Sequence, residues 1–247
     1  MSIWRGRRAI SSYQNISLIL GLLVAHWFAA ANVAYAQADE QLLNSGQWKL
    51  MGFKDFPEAQ FDYSNGVLRV RSDNSVGFYY REVLSGRQMR ESDWELSWEW
   101  RVLDTSEATE TKTADVDDRP VAVHVWINNP GSVGWFRGSL ARLFSVPVPG
   151  NMITYSWGGT EQIGEEFPNP HIPEEGYIKV LRNHSESGET WFSERVRFRL
   201  DLLSEYPDID WRRVYVVISS DNEDSEGFAT AEVRNLRLMP ISDDEDR

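Results

Sequence analysis

The sequence predicts an all-β fold, a jelly-roll-like β-sandwich with one or two short covering helices. Three observations predict it. Short runs of alternating polar and apolar residues recur along the chain, Gly-, Pro-, Asn- and Ser-rich punctuation separates them, and few stretches carry helical periodicity. Strands at this density, with so few helices between them, bury their apolar faces by packing one sheet on another.

Taken in order, the chain opens on a leader. Arg5, Arg7 and Arg8 form a basic n-region, and "ISLILGLLVAHWFAAANVA" is apolar apart from Ser17, Gly21, His26 and Asn32. "AYA" at 34–36 and "AQA" at 36–38 are small-x-small cleavage sites. Residues 1–36 are therefore expected to be a signal peptide, with a mature chain starting at Gln37 or Asp39. An uncleaved anchor is one competing reading. A twin-arginine signal at Arg7-Arg8 is another, although "AISS" after the pair lacks the apolar continuation. No Cys follows the apolar segment, which excludes a lipoprotein anchor. The expected location is the bacterial periplasm or the exterior, reached by Sec-type export, with no stable membrane insertion after cleavage.

Residues 37–240 read as a single β-sandwich domain. "QWKLMGFK" (47–54), "NGVLRVRSD" (65–73) and "VGFYYREV" (76–83) are the first strands. "DWELSWEWRVL" (93–103) has the clearest period of two: Trp94, Leu96, Trp98, Trp100 and Val102 share one face, opposite Glu95, Ser97, Glu99 and Arg101. "RPVAVHVWIN" (119–128), "MITYSWGG" (152–159), "GYIKVLRN" (176–183), "RRVYVVISSD" (212–221) and "ATAEVRNLRLM" (229–239) complete the series. Two segments predict covering helices. Residues 132–146 carry Trp135, Phe136, Leu140, Leu143 and Phe144 between Pro130 and Pro147. The second runs from Ser193 to Tyr206, with Val196, Leu200 and Leu203 on one stripe and Pro207 as the stop. Residues 103–118 read as a long exposed acidic loop, and 241–247 as a disordered acidic tail.

Composition narrows the function. A net charge of −13 argues against nucleic acid, which is held by neutralising its phosphates. Removing the three arginines of the leader makes the mature chain more acidic still. Zero Cys excludes thiol catalysis and Cys-ligated zinc, and leaves stability to the core. With 11 Trp, 9 Tyr and 11 Phe, the chain can supply both a core and a stacking face.

The familiar catalytic motifs, H-E-x-x-H, G-x-S-x-G and a Gly-rich phosphate loop, are absent from the sequence. His124, His171 and His184 follow the leader at spacings that suit no simple metal site. Glu95 and Glu99 share a strand face without the central acid of a glucanase pair. "VHV" lacks the Gln of an alginate-lyase strand, and Leu181 follows Tyr177 and Lys179 where that family has Gly.

Two candidate sites remain. Strand parity puts Asp118, Ala122, His124 and Trp126 on one face of 119–128, opposite Arg119, Val121, Val123, Val125 and Ile127. An aromatic ring beside hydrogen-bonding groups suits a sugar, so the candidate ligand-binding set is Asp118, His124 and Trp126, with Tyr155 and Trp157 of "ITYSW" as further platforms. The competing reading places these rings in a second core layer. The other candidate is "SSDNEDSEG" (219–227), where Asp221, Glu223 and Asp224 could ligate Ca²⁺. A regular EF-hand is excluded, because Glu226 stands at its Gly position and Glu232 falls inside the last strand. A solvated hairpin is the alternative. No organic cofactor is implied.

Taken together, "SWEWRV", "DDRPVAVHVWI", "ITYSW" and "SSDNEDSEGFATAEVRNLRL" resemble the exported bacterial family called domain of unknown function 3047. That family is similar in carrying W-x-W-x-V, D-D-x-x-x-R-x-x-V, a Y-x-W strand and an acidic T-D-T-D-N-T-G loop before its final strand. The resemblance spans roughly residues 45–240. Arg119 follows the Asp pair earlier than the family pattern has it. In the loop, Asp221 matches the first Asp, Glu223 the second, Asp224 the Asn and Ser225 the Thr, while Glu226 stands at the Gly. The resemblance implies fold and compartment and brings no activity. The expected function is an exported, non-catalytic binding module for carbohydrate, using an aromatic and polar sheet face. The alternatives are a polysaccharide-active lyase or hydrolase, and a structural domain that binds an envelope protein.

Overall fold

The computed structural model describes residues 40–44, 46–53, 55–128 and 149–241. The leader, the helix expected at 132–146 and the tail beyond Ile241 lie outside the described residues. The elements are β1 (Glu40–Gln41), β2 (Lys49–Met51), β3 (Gln60–Ser64), β4 (Val67–Asp73), β5 (Val76–Leu84), α1 (Gly86–Glu91), β6 (Asp93–Thr105), β7 (Arg119–Asn128), β8 (Pro149–Trp157), β9 (Glu166–Pro168), β10 (Gly176–Arg182), β11 (Phe192–Val196), α2 (Phe198–Glu205), β12 (Val214–Asp221) and β13 (Phe228–Ile241).

These strands build two sheets. One runs β11-β6-β13-β4-β3, with β1 also paired to β13, and the other runs β2-β5-β12-β7-β8-β10-β9. Pairing is antiparallel except between β8 and β10. The chain changes sheet from β4 to β5, to β6 and to β7, and again from β11 to β12 to β13. This to-and-fro is what makes the sandwich jelly-roll-like.

The period-two face of β6 is the inner face of its sheet: Trp94, Leu96, Trp98, Trp100 and Val102 are all buried. It meets β8, where the Trp98 and Tyr155 rings lie 5.7 Å apart and the Trp100 and Trp157 rings 5.5 Å apart. Register places Val121, Val123 and Val125 beside Trp157, Tyr155 and Ile153, so the valine face of β7 joins the same core.

Three sequence expectations change. Residues 192–196 form a strand rather than the start of a helix, because they pair with the exposed edge of β6, Phe192 opposite Trp100 and Val196 opposite Leu96. The helix begins only at Phe198, which rotates its buried stripe to Phe198 and Leu202 and leaves Leu200 45% exposed. The 103–118 segment is not simply an exposed loop. β6 runs on to Thr105, and the remainder is pinned where Thr160 N–H donates to Thr109 O (2.9 Å) and Thr111 N–H to Glu161 Oε1 (2.6 Å). That approach requires Gly159, whose Cβ would sit 1.9 Å from Thr109 O. Among the described residues, no helix is long and apolar enough to cross a membrane.

Candidate functional site

The five residues expected to bind ligand do not share a surface. Tyr155 and Trp157 point into the inter-sheet core and are fully buried, and the Tyr155 hydroxyl donates to Asp201 Oδ2 (2.6 Å). A ring enclosed on all sides cannot stack on a sugar, so the platform assignment for these two is corrected. His124 and Trp126 lie on the opposite face of the seven-stranded sheet, again buried, Trp126 to 1% exposure. They pack with Phe78, Tyr80, Met152, Tyr215 and Val217, which makes this face a second apolar layer. The two His124 ring nitrogens pair with Thr154 Oγ1 (2.9 Å) and Ser219 Oγ (2.7 Å). Burial, with the Arg119 charge adding to it, pushes the His124 pKa down to about 3, so the imidazole is neutral at any ordinary pH.

Asp118 is different, because it meets the acidic loop. Pro120 has no N–H to give the sheet, and the β7–β12 ladder slips beside it, between Ser219 opposite Ala122 and Asp221 opposite Arg119. The freed Pro120 carbonyl accepts from Ser220 Oγ (2.8 Å). The slip brings the Asp pair at the start of β7 against the loop leaving β12. Asp118 then accepts N–H donors from Asp224 (3.1 Å) and Ser225 (2.9 Å), as well as the Ser225 hydroxyl. Its neighbour Asp117 is bound by Arg119 and by His171 Nε2 (2.7 Å). Burial pushes the Asp117 carboxyl up, but Arg119 and His171 outweigh it and hold it below the usual range.

Oxygens of Asp118, Asp221 and Glu223 lie within 4.8 Å of one another. Burial, then the hydrogen bond and charge of Glu223, push Asp221 well above the ordinary carboxyl range. Asp224 rises to about 6 through burial and then the charges of Glu223, Asp117 and Asp118. The residues able to hold a cation are thus Asp118, Asp221 and Glu223. Asp224, expected as a ligand from sequence, contributes its backbone N–H to Asp118, and its carboxylate stands outside the trio.

Sequence reasoning missed a second feature at this end. A groove of about 600 Å³ is lined by Glu58, Gln60, Arg71, Asp73, Phe228 and Thr230, among others. Register explains it: Gln60 and Thr230 flank Arg71 in one row across β3, β4 and β13, and Asp73 sits opposite Phe228 in the next. The Phe228 residue, first after the acidic loop, is 44% exposed. The signal available in sequence was the polar–apolar alternation of "NGVLRVRSD". "QFDYS", which completes the row, is too polar to announce a strand.

A family model described as "Protein of unknown function (DUF3047)" matches residues 46–237. None of the curated proteins matches. Among solved structures, one similar fold is the xyloglucanase domain of NopAA, a type three effector from Sinorhizobium fredii in complex with cellobiose. It is 13% identical at a TM-score of 0.46, over 78% of this chain and 93% of that one. Another is the family 11 carbohydrate-binding module of a cellulosomal cellulase of Clostridium thermocellum, 8% identical at a TM-score of 0.42, over 83% and 95%. The carbohydrate recognition domain of Emp47p is 9% identical at a TM-score of 0.45, over 83% and 95%.

Proposed function

Since the chain belongs to the DUF3047 family, whose function is unknown, its role has to be built from its own residues, and we propose that it is an exported, non-catalytic carbohydrate-binding domain. The observation that carries the reading is the groove over β3, β4 and β13. An exposed ring, Phe228, stands beside a guanidinium, a carboxylate, an amide and a hydroxyl, from Arg71, Asp73, Gln60 and Thr230. A sugar ring stacks its C–H face on an aromatic and is oriented by hydrogen bonds to its hydroxyls. This groove is not the sheet face expected from sequence, whose rings are buried; it lies on the six-stranded sheet and uses other residues.

The absence of catalysis is supported by what has become of the reactive candidates. His124 is enclosed between two hydroxyls and Tyr155 is tied to Asp201. Glu95 is paired with Arg195, and Glu99 with Arg234. One observation favours a second reading: Glu58 and Asp73 both line the groove, and a hydrolase needs two carboxyls across its cleft.

The test is a screen of the purified protein against bacterial and algal polysaccharides by thermal shift, followed by titration of any hit. Phe228→Ala should weaken binding about tenfold, the worth of a stacking ring, while leaving the melting temperature nearly unchanged because the side chain is exposed. Binding that is indifferent to Phe228→Ala and Arg71→Ala would place the ligand elsewhere. Release of reducing ends, lost in Glu58→Gln, would move the reading to the hydrolase.

A further inference from the structure

We infer that Asp118, Asp221 and Glu223 form a site for one hard divalent cation, Ca²⁺, which staples the entry of β7 to the loop leaving β12. The inference is independent of the glycan reading.

The first support is geometric. Two oxygens bound to one Ca²⁺ at roughly 2.4 Å lie at most about 5 Å apart, and the three carboxylate oxygens here fall within 4.8 Å of one another. They fit on one coordination sphere. The second support is the state of the oxygens themselves. Asp221 as a residue keeps some exposure, but its Oδ1 is sealed from solvent, and so is Glu223 Oε2. Among the described residues, neither atom receives a hydrogen bond from an N–H or an alcohol hydroxyl, and what Asp221 meets in Glu223 is a second carboxyl. Buried carboxylate oxygens are ordinarily satisfied by donors or by a metal.

The donors that do exist at this end are committed to other carboxylates. Arg119 and His171 hold Asp117, while the 224–225 backbone and the Ser225 hydroxyl hold Asp118. A carboxylate carrying these bonds still has lone pairs to offer a metal. An all-oxygen, anionic donor set without imidazole or thiolate selects Ca²⁺ or Mg²⁺ over zinc, and a set of three carboxylates on a strand entry and a loop suits the irregular coordination of Ca²⁺ better than the strict octahedron of Mg²⁺.

The experiment uses the purified full chain, stripped with EDTA and dialysed, then titrated with CaCl₂ or MgCl₂ alone while its melting temperature is followed. The expected result is a rise of roughly 5–10 °C at about 100 times the dissociation constant, larger with Ca²⁺ than with Mg²⁺. Asp221→Asn and Glu223→Gln should each abolish the rise, whereas Asp224→Asn should keep it. Should Asp221→Asn fail to fold, Glu223→Gln carries the test. No rise in the wild-type chain, or a rise of equal size in Asp224→Asn and Glu223→Gln, would overturn the site. A glycan bound equally well in EDTA, without any response to Ca²⁺, would sink the cation site and leave the proposed function standing. The converse result, Ca²⁺ binding with no glycan, would do the reverse.

Discussion

Two buried polar regions meet along β12, one residue apart, and they are built in opposite ways. At Ser219 and Ser220 every group has a partner. Ser219 holds His124, while Ser220 meets Ser72 Oγ (2.7 Å) and donates to Pro120 O, and Asn222 Nδ2 donates to Ser72 Oγ (2.6 Å). At Asp221 the pattern inverts: carboxyls face carboxyls, and the sealed oxygens Asp221 Oδ1 and Glu223 Oε2 receive no N–H or alcohol hydroxyl. The contrast teaches that burial of polar atoms is not one phenomenon. A closed network of neutral groups is self-sufficient, and removing any member costs stability. A cluster of like charges is a liability until a counter-charge arrives, and removing a member relieves it.

The largest effect that could break this comparison concerns His124 and pH. The unfolded chain takes up a proton near the ordinary histidine pKa, about 6.5, while the folded chain holds it off until about 3. His124 therefore contributes its full stability above about pH 6.5 and loses it as pH falls through that window, at about 1.4 kcal/mol per pH unit. Urea midpoints at pH 7, 6 and 5 should show the decline, and His124→Gln should flatten it. Equal slopes in the two proteins would mean that the imidazole is not sealed.

Next in size is Thr154→Val, which leaves a His124 ring nitrogen without its hydroxyl. It should cost about 1–3 kcal/mol in denaturant unfolding. The comparison is sharpened by the opposite sign expected across the border: in EDTA at pH 7, Asp221→Asn should stabilise the fold, because it removes a carboxyl held against its own burial and against the Glu223 charge. A loss of stability there would make the two regions alike.

The smallest effect is in the turn itself. Glu226 adopts φ 52°, in the left-handed region that favours glycine, at the position where the family pattern has Gly. Glu226→Gly should therefore raise the unfolding free energy by about 0.5–1 kcal/mol, measured with or without Ca²⁺.

Much of the fold was legible because local pattern and global packing agree there. The Trp94–Val102 alternation is the inner face of β6, and β7 begins and ends where "RPVAVHVWIN" does. Where they disagree, reading failed for identifiable reasons. Phe192–Val196 is a strand because β6 offers it an edge, a fact no local periodicity contains. Parity on β7 correctly separated the valines from His124 and Trp126, but both faces of that strand are covered, and one sequence cannot tell an exposed polar face from a second packed layer. Asp118 and the acidic loop were each conspicuous in sequence. Their meeting depends on the ladder slip at Pro120, which only the pairing of β7 with β12 reveals. The groove escaped altogether, since its row is assembled from three strands, one of them without an apolar signature.

That meeting also bears on the order of events when the chain folds. Asp224 and Asp118 are 106 residues apart, and nothing local brings them together. Their encounter requires β12 to lie between β5 and β7, a pairing of long sequence separation whose loop-closure cost comes before its contacts reward it. Crowding of carboxylates at that junction should then be felt in the rate of unfolding far more than in the rate of folding. A lifetime of the native state that changes in Asp221→Asn while the folding rate does not would make this seam a late contact and an adjustable one.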